Sequence, residues 1–133
     1  IESGMASIVS KITAGEIPCH RIAENDEFLA FLDINPLAEG HTLVIPKTEV
    51  DYFFDLDAGL LSRINLFARD VAQKIETAIP CKRVGVTVIG LEVPHAHMHL
   101  IPLQNVADIN FERPKLSFTA EELAATAECI QRA

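Results

Sequence analysis

The sequence predicts an α+β domain with a largely antiparallel five-stranded sheet and two main helices. Three observations predict it. One long amphipathic stretch stands alone in the middle of the chain, short β-rich segments joined by turn residues flank it, and a second helix signal closes the sequence. A doubly wound parallel sheet would need a crossover helix between most strands, and these connections are too short for that.

Taken in order, Ile8, Val9 and Ile12 recur at three- and four-residue spacing, which predicts a short helix over Ser7 to Thr13 before Gly15 and Pro18 interrupt. His20 to Glu24 and Phe28 to Asp33 flank the turn-prone pair Asn25-Asp26 and read as a hairpin. Asn35-Pro36 turns the chain, and His41 to Ile45 is a third strand stopped by Pro46. Between Asp57 and Ala78, Leu61, Ile64, Ala68, Val71 and Ile75 fall on one helical face, with Asp57 as N-cap and Pro80 as the stop. Arg83 to Ile89 and His95 to Ile101 read as an antiparallel strand pair. In the last helix Thr119 and Glu122 form a capping box, Phe118 and Leu123 a hydrophobic staple, and Leu123, Ala127 and Ile130 the buried stripe.

The chain of 133 residues is 49% hydrophobic and 23% charged, enough apolar material for one core. No linker or repeat divides it, so residues 5–133 read as a single domain, with Ile1 to Gly4 before Met5 as an expression-tag remnant. A net charge of −8 argues against a nucleic acid polymer as partner, because bulk attraction to a polyanion needs clustered Lys and Arg. No apolar run is long enough for a membrane span. Cys19, Cys81 and Cys129 are odd in number and widely spaced, which predicts neither a disulfide framework nor a zinc site and suits a reducing, cytoplasmic home.

The chemistry concentrates in Pro94-His95-Ala96-His97-Met98-His99-Leu100. On a strand the period of two puts His95, His97 and His99 on one face and Ala96, Met98 and Leu100 on the other. Filler is a poor reading, since three imidazoles on one face would be desolvated without packing gain. Two functional readings compete. A metal centre can take two ligands from His-x-His, and metal-free phosphoryl transfer can use a neutral imidazole as nucleophile with its neighbours as donors. Spacing alone leaves both open.

The segment from His95 to Ile101, together with Phe31-Leu32-Asp33-Ile34-Asn35-Pro36, Gly40-His41-Thr42-Leu43-Val44-Ile45-Pro46-Lys47 and the opening Ile8-Val9-Ser10-Lys11-Ile12, resembles the histidine triad (HIT) family of nucleotide hydrolases and transferases. The likeness runs from Ile8 to Pro102. It implies a HIT-like fold, a homodimer, no cofactor, and a purine nucleotide substrate yielding AMP or GMP. His97 would attack the α-phosphorus, with its Nδ1 proton held by a backbone carbonyl of the same strand. His99 would contact the phosphate, and His95 and His41 would support the cluster. Asp33 would accept hydrogen bonds from the ribose hydroxyls, while Ile8, Val9, Ile12, Phe31, Ile34 and Leu43 would line the nucleoside pocket.

Departures shape the rest. Ser7, Ser10 and Glu49 stand where zinc-bearing members carry Cys, Cys and His, so the likeness implies no metal of that type. Before the triad, Leu91 stands where many members have glutamine, and its neighbour Glu92 is counted with the nucleotide-contacting residues. After it, Pro102-Leu103 lacks the arginine of some branches. The favoured activity is cleavage of a purine nucleoside phosphoramidate or related conjugate. The alternatives are a dinucleoside polyphosphate hydrolase, or a nucleotide-binding or interaction module with vestigial turnover.

Overall fold

Asn25 makes the first hairpin. Its side-chain oxygen accepts from the backbone N–H groups of Glu27 (2.9 Å) and Phe28 (2.8 Å), the local bonding that favours Asn in turns. In the computed structural model, which describes residues 19–133, this turn joins β1 (Arg21–Glu24) to β2 (Phe28–Leu32). The helix expected over Ser7 to Thr13, with Ile8, Val9 and Ile12, lies outside the described residues.

The sheet continues with β3 (Thr42–Pro46) and closes with β4 (Arg83–Thr87) and β5 (Met98–Leu103), in the order β1-β2-β3-β5-β4 and antiparallel throughout. Between β3 and β4 runs α1 (Ala58–Ala78), capped by the Asp57 carboxylate, which accepts from Leu60 N–H at 2.8 Å. Ile79, the residue before Pro80, is extended and ends it. α2 (Ala120–Arg132) starts at the Thr119–Glu122 capping box. This is the α+β architecture that the sequence predicts.

Strand alternation then sorts the side chains. Phe28, Ala30, Leu32, Val44, Met98 and Leu100 face α1 and α2 and form the main core with Ile64, Val71, Ile75 and Ile130. Each such fully buried aliphatic or aromatic side chain contributes about 1.5–3 kcal/mol. The opposite face carries a second cluster of Leu29, Phe31 and Ile45 with Leu43 beside it. Leu43 is in register with both Phe31 and His99, so one cross-strand row puts an imidazole beside an apolar patch.

The first three strands match expectation to within one residue at each end, and the last two depart further. β5 starts at Met98, not His95, because Ala96 N–H is bonded to Val50 O (2.6 Å) and His95 N–H to Val93 O, outside the ladder. It also runs on through Pro102, which is tolerated because pairing with β3 has already ended at Leu100. β4 stops at Thr87 instead of Ile89, just before a bend in which Gly90 adopts φ +73°.

Gly40, immediately before His41, is the glycine that positions the site. Its φ is +90°, and a Cβ there would lie 3.0 Å from Ile79 Cγ1 and 3.4 Å from Pro102 Cγ. Gly40→Ala is expected to cost about 1–3 kcal/mol of unfolding free energy, measured by urea denaturation. A variant as stable as the wild type would show that the turn has other ways to form.

Candidate active site

The same alternation that builds the second cluster gathers polar groups at its edge. Asp33 follows β2, His41 precedes β3, and His97 and His99 lie on the approach to and within β5, on one side of the sheet. The loop between Asp33 and His41 is pinned by backbone bonds from Asp33 N–H to His41 O (3.0 Å) and from His41 N–H to Ala38 O (3.1 Å).

Hydrogen bonds assign the tautomers of the cluster. Leu37 N–H donates to His41 Nδ1 at 3.0 Å, so that nitrogen is an acceptor and His41 carries its proton on Nε2. That N–H donates to His99 Nδ1 at 2.9 Å, which leaves the His99 proton on Nε2, unused within the relay. His97 is set the other way. Its Nδ1 faces the carbonyl oxygen of His95 at 2.8 Å, so Nδ1 holds the proton and the Nε2 lone pair is uncommitted. The ring centroids of His97 and His99 are 5.0 Å apart, which places an imidazole acceptor beside an imidazole donor.

His95 does not share an open face with the others. It is buried, donates Nε2–H to Pro46 O at 2.8 Å, and leaves Nδ1 without a partner among the described residues. Its contribution to the cluster is its carbonyl.

Burial governs the electrostatics. His41 is pushed down to about 4, first by desolvation and then by the Lys115 ammonium. His99 is pushed down to about 3 by desolvation, with His97, His41 and Lys115 adding. Burial raises the Asp33 carboxyl above its ordinary value, against the lowering effects of a hydrogen bond from Asn35 N–H and of His97 and Lys115. Asp33 Oδ2 is 3.6 Å from His41 Nε2, too long for a hydrogen bond, and with His41 neutral the two make no ion pair.

One ligand atom from each of Asp33, His41 and His99 lies within 4.8 Å of the other two, a spacing that a metal ion can also use. The His41–His99 bond already occupies that space with a shared proton, so a cation there would have to displace it.

Of the other expected residues, Phe31 and Leu43 stand beside His99 in the cross-strand row, whereas Ile34 is 65% exposed at the rim. Glu92 is exposed on the connection before the triad, as is Leu91, so neither is drawn into the imidazole cluster. A cleft of about 260 Å³ lies against His97 and is lined by Tyr52, Phe53, Phe54, Val88, Ile89 and Ala96, with Asp51 and Gly90 at its edge. The sequence reading missed Phe111, whose ring meets those of His99 at 4.7 Å and His41 at 6.0 Å, and Lys115 beyond it. Both lie on a segment without strand or helix periodicity, so no pattern marks them.

The low imidazole values make stability depend on pH in a defined direction. Unfolded, His41 and His99 take protons near 6.5; folded, only near 4 and 3. Between those limits the unfolded chain binds more protons, so their contribution is complete above about pH 6.5 and is lost as pH falls toward 4 and then 3. The raised Asp33 value opposes this just above the ordinary carboxylate range. Urea unfolding from pH 7 to 4 should show falling stability, with a shallower slope in His41→Asn; equal slopes would mean that His41 is not held neutral.

Comparison with known proteins follows the same lines. The family model of the HIT domain matches residues 14–106. An uncharacterised HIT-like protein of Helicobacter pylori is 37% identical over 98 residues, covering 71% of this chain and 94% of its own length. The adenosine 5′-monophosphoramidase of Schizosaccharomyces pombe is 33% identical over 132 residues, covering 95% of this chain and 96% of its own. A crystal structure of a Hit-like protein from Bartonella henselae superposes with a TM-score of 0.82 at 30% identity, covering 94% of this chain and 93% of that one.

Proposed function

Because the chain belongs to the HIT family of nucleotide hydrolases and transferases, we propose that it cleaves the bond to the α-phosphate of a purine nucleoside phosphoramidate or related conjugate, through a covalent nucleotidyl intermediate on His97. The observation that carries this reading is the His97 ring, with Nδ1–H on the His95 carbonyl and a free lone pair on Nε2. Attack by Nε2 forms a phosphorus–nitrogen bond as the leaving group departs and takes up a proton from water. The imidazole then carries positive charge, and the 2.8 Å bond from Nδ1–H to the His95 carbonyl strengthens as that charge develops. Water next breaks the phosphorus–imidazole bond, releasing AMP or GMP and the neutral ring.

Around that centre His99 Nε2–H donates to a phosphate oxygen, held in place through His41 and Leu37 N–H. Asp33 takes the ribose hydroxyls, and Phe31 and Leu43 face the base. The apolar cleft against His97 suits the group that leaves. The relative named for adenosine 5′-monophosphoramidase activity supports a phosphoramidate over a dinucleoside polyphosphate. A homodimer fits the edge position of β4, where Val86 is 57% exposed. Among the described residues no helix is long and apolar enough to cross a membrane.

Two measurements test the reading. His97→Ala should lose turnover of a fluorogenic adenosine phosphoramidate by at least about a thousandfold while still binding AMP, and acid-quenched wild type should yield a nucleotidyl adduct on the His97 peptide. Turnover within about tenfold of wild type would reject His97 as nucleophile. Asp33→Asn should weaken ribonucleotide binding by about 1–3 kcal/mol and affect 2′-deoxyribose substrates less. Equal losses on both sugars would remove Asp33 from the ribose.

A further inference from the structure

After β5 the chain crosses the sheet face that carries the imidazoles. Ile109 packs over Gly85, where any Cβ would lie 2.4 Å from Leu103 Cδ1 and 3.2 Å from Ile109 Cδ1. Phe111 follows with its ring edge against His99, and Leu116 N–H then donates to Pro36 O at 2.8 Å, tying the segment to the loop that holds Asp33 and His41. Lys115 is therefore carried between two anchors at the site. Its Nζ donates to Phe111 O at 2.6 Å and stands 5.6 Å from the centroid of the Phe111 ring.

Position sets this lysine apart. Arg21, Lys47, Arg63, Arg69, Arg113 and Arg132 all lie within ion-pair distance of carboxylates; Lys115 shares the lack of such a contact with Lys82 and Arg83 among the described residues, and of these three it is the one over the Phe111 ring that packs on His99. No other lysine or arginine among them is a source of the field that perturbs Asp33, His41 and His99. A chain of net charge −8 thus places a cation without a carboxylate partner beside the imidazole cluster.

We propose that Lys115 is an anion-binding residue of this site, its ammonium receiving the 5′-phosphate oxygens of the bound nucleotide. The assignment rests on the nucleotide reading above. The exposed four-carbon stem lets the ammonium leave the Phe111 carbonyl for a phosphate without moving the backbone. Phe111 serves as its platform and covers the His41–His99 bond on the same side.

Calorimetric titration with AMP and with adenosine, on wild type, Lys115→Gln and Lys115→Arg, tests this. Lys115→Gln should weaken AMP about tenfold or more, the loss of one charge-assisted contact, and leave adenosine within about twofold. Lys115→Arg should keep AMP within about threefold of wild type. Undiminished AMP binding in Lys115→Gln, alongside His97-dependent turnover, would overturn the Lys115 role and leave the proposed activity standing. Equal weakening of AMP and adenosine would also overturn it, because that pattern reports only a displaced segment. A wild type that binds neither ligand would remove the nucleotide reading itself and this inference with it.

Discussion

The 2.9 Å hydrogen bond between His41 and His99 is the constraint on which the rest of the site depends. Two buried imidazoles in contact have only two neutral ways to share one proton, and the Leu37 N–H at His41 Nδ1 selects between them. With that choice made, the outer nitrogen of His99 is a donor. The same backbone amide therefore fixes a functional group two side chains away. If either ring were protonated, Nδ1 of His41 or of His99 would turn from acceptor to donor and the relay would break, which is why deep burial suits this pair.

β3 holds both halves of this arrangement. His41 enters the strand at one end, and Pro46 at the other end supplies the carbonyl that holds His95. His95 in turn offers its own carbonyl to His97. The proton donor and the free lone pair are thus each set by a separate chain of hydrogen bonds anchored on one five-residue strand. Leu43, the second residue of that strand, is in register with both Phe31 and His99, so the apolar and polar parts of the site share a single register. A one-residue slip of β3 would turn Leu43 to the helix side and take it out of the row with Phe31 and His99.

The sequence was legible wherever a side chain obeyed a period or a cap. Asp57 and Thr119 mark both helix starts, and the stripe of Ile64, Ala68, Val71 and Ile75 is buried as the 3.6-residue spacing requires. Alternation placed Ala96, Met98 and Leu100 on the core side correctly. It misled at His95, because alternation assumes a continuous ladder and the bond from Ala96 N–H to Val50 O breaks it. The rest of the arrangement was invisible for a different reason. Leu37 and Pro46 act through backbone atoms, which carry no residue signature, and Phe111 and Lys115 reach the site through a loop whose path is set only by tertiary contacts such as Leu116 N–H to Pro36 O.

Neutral imidazoles also define what the site lacks. With His41 and His99 held down to about 4 and about 3, neither supplies positive charge near pH 7, so their contribution to an approaching phosphate is limited to the dipole of one N–H. Asp33 beside them is one of the carboxylates that bring the chain to net charge −8. Burial raises the Asp33 carboxyl, which measures how poorly this environment tolerates negative charge. Such an environment would repel the phosphate of the proposed substrate unless a cation stood near. Placing that cation on an exposed loop, above an aromatic ring, avoids the desolvation that a buried lysine would suffer and keeps the inner imidazoles unprotonated. The division of labour follows from the chemistry: the interior fixes tautomers where water is excluded, and charge compensation sits at the rim, where a hydrated ammonium can reach in.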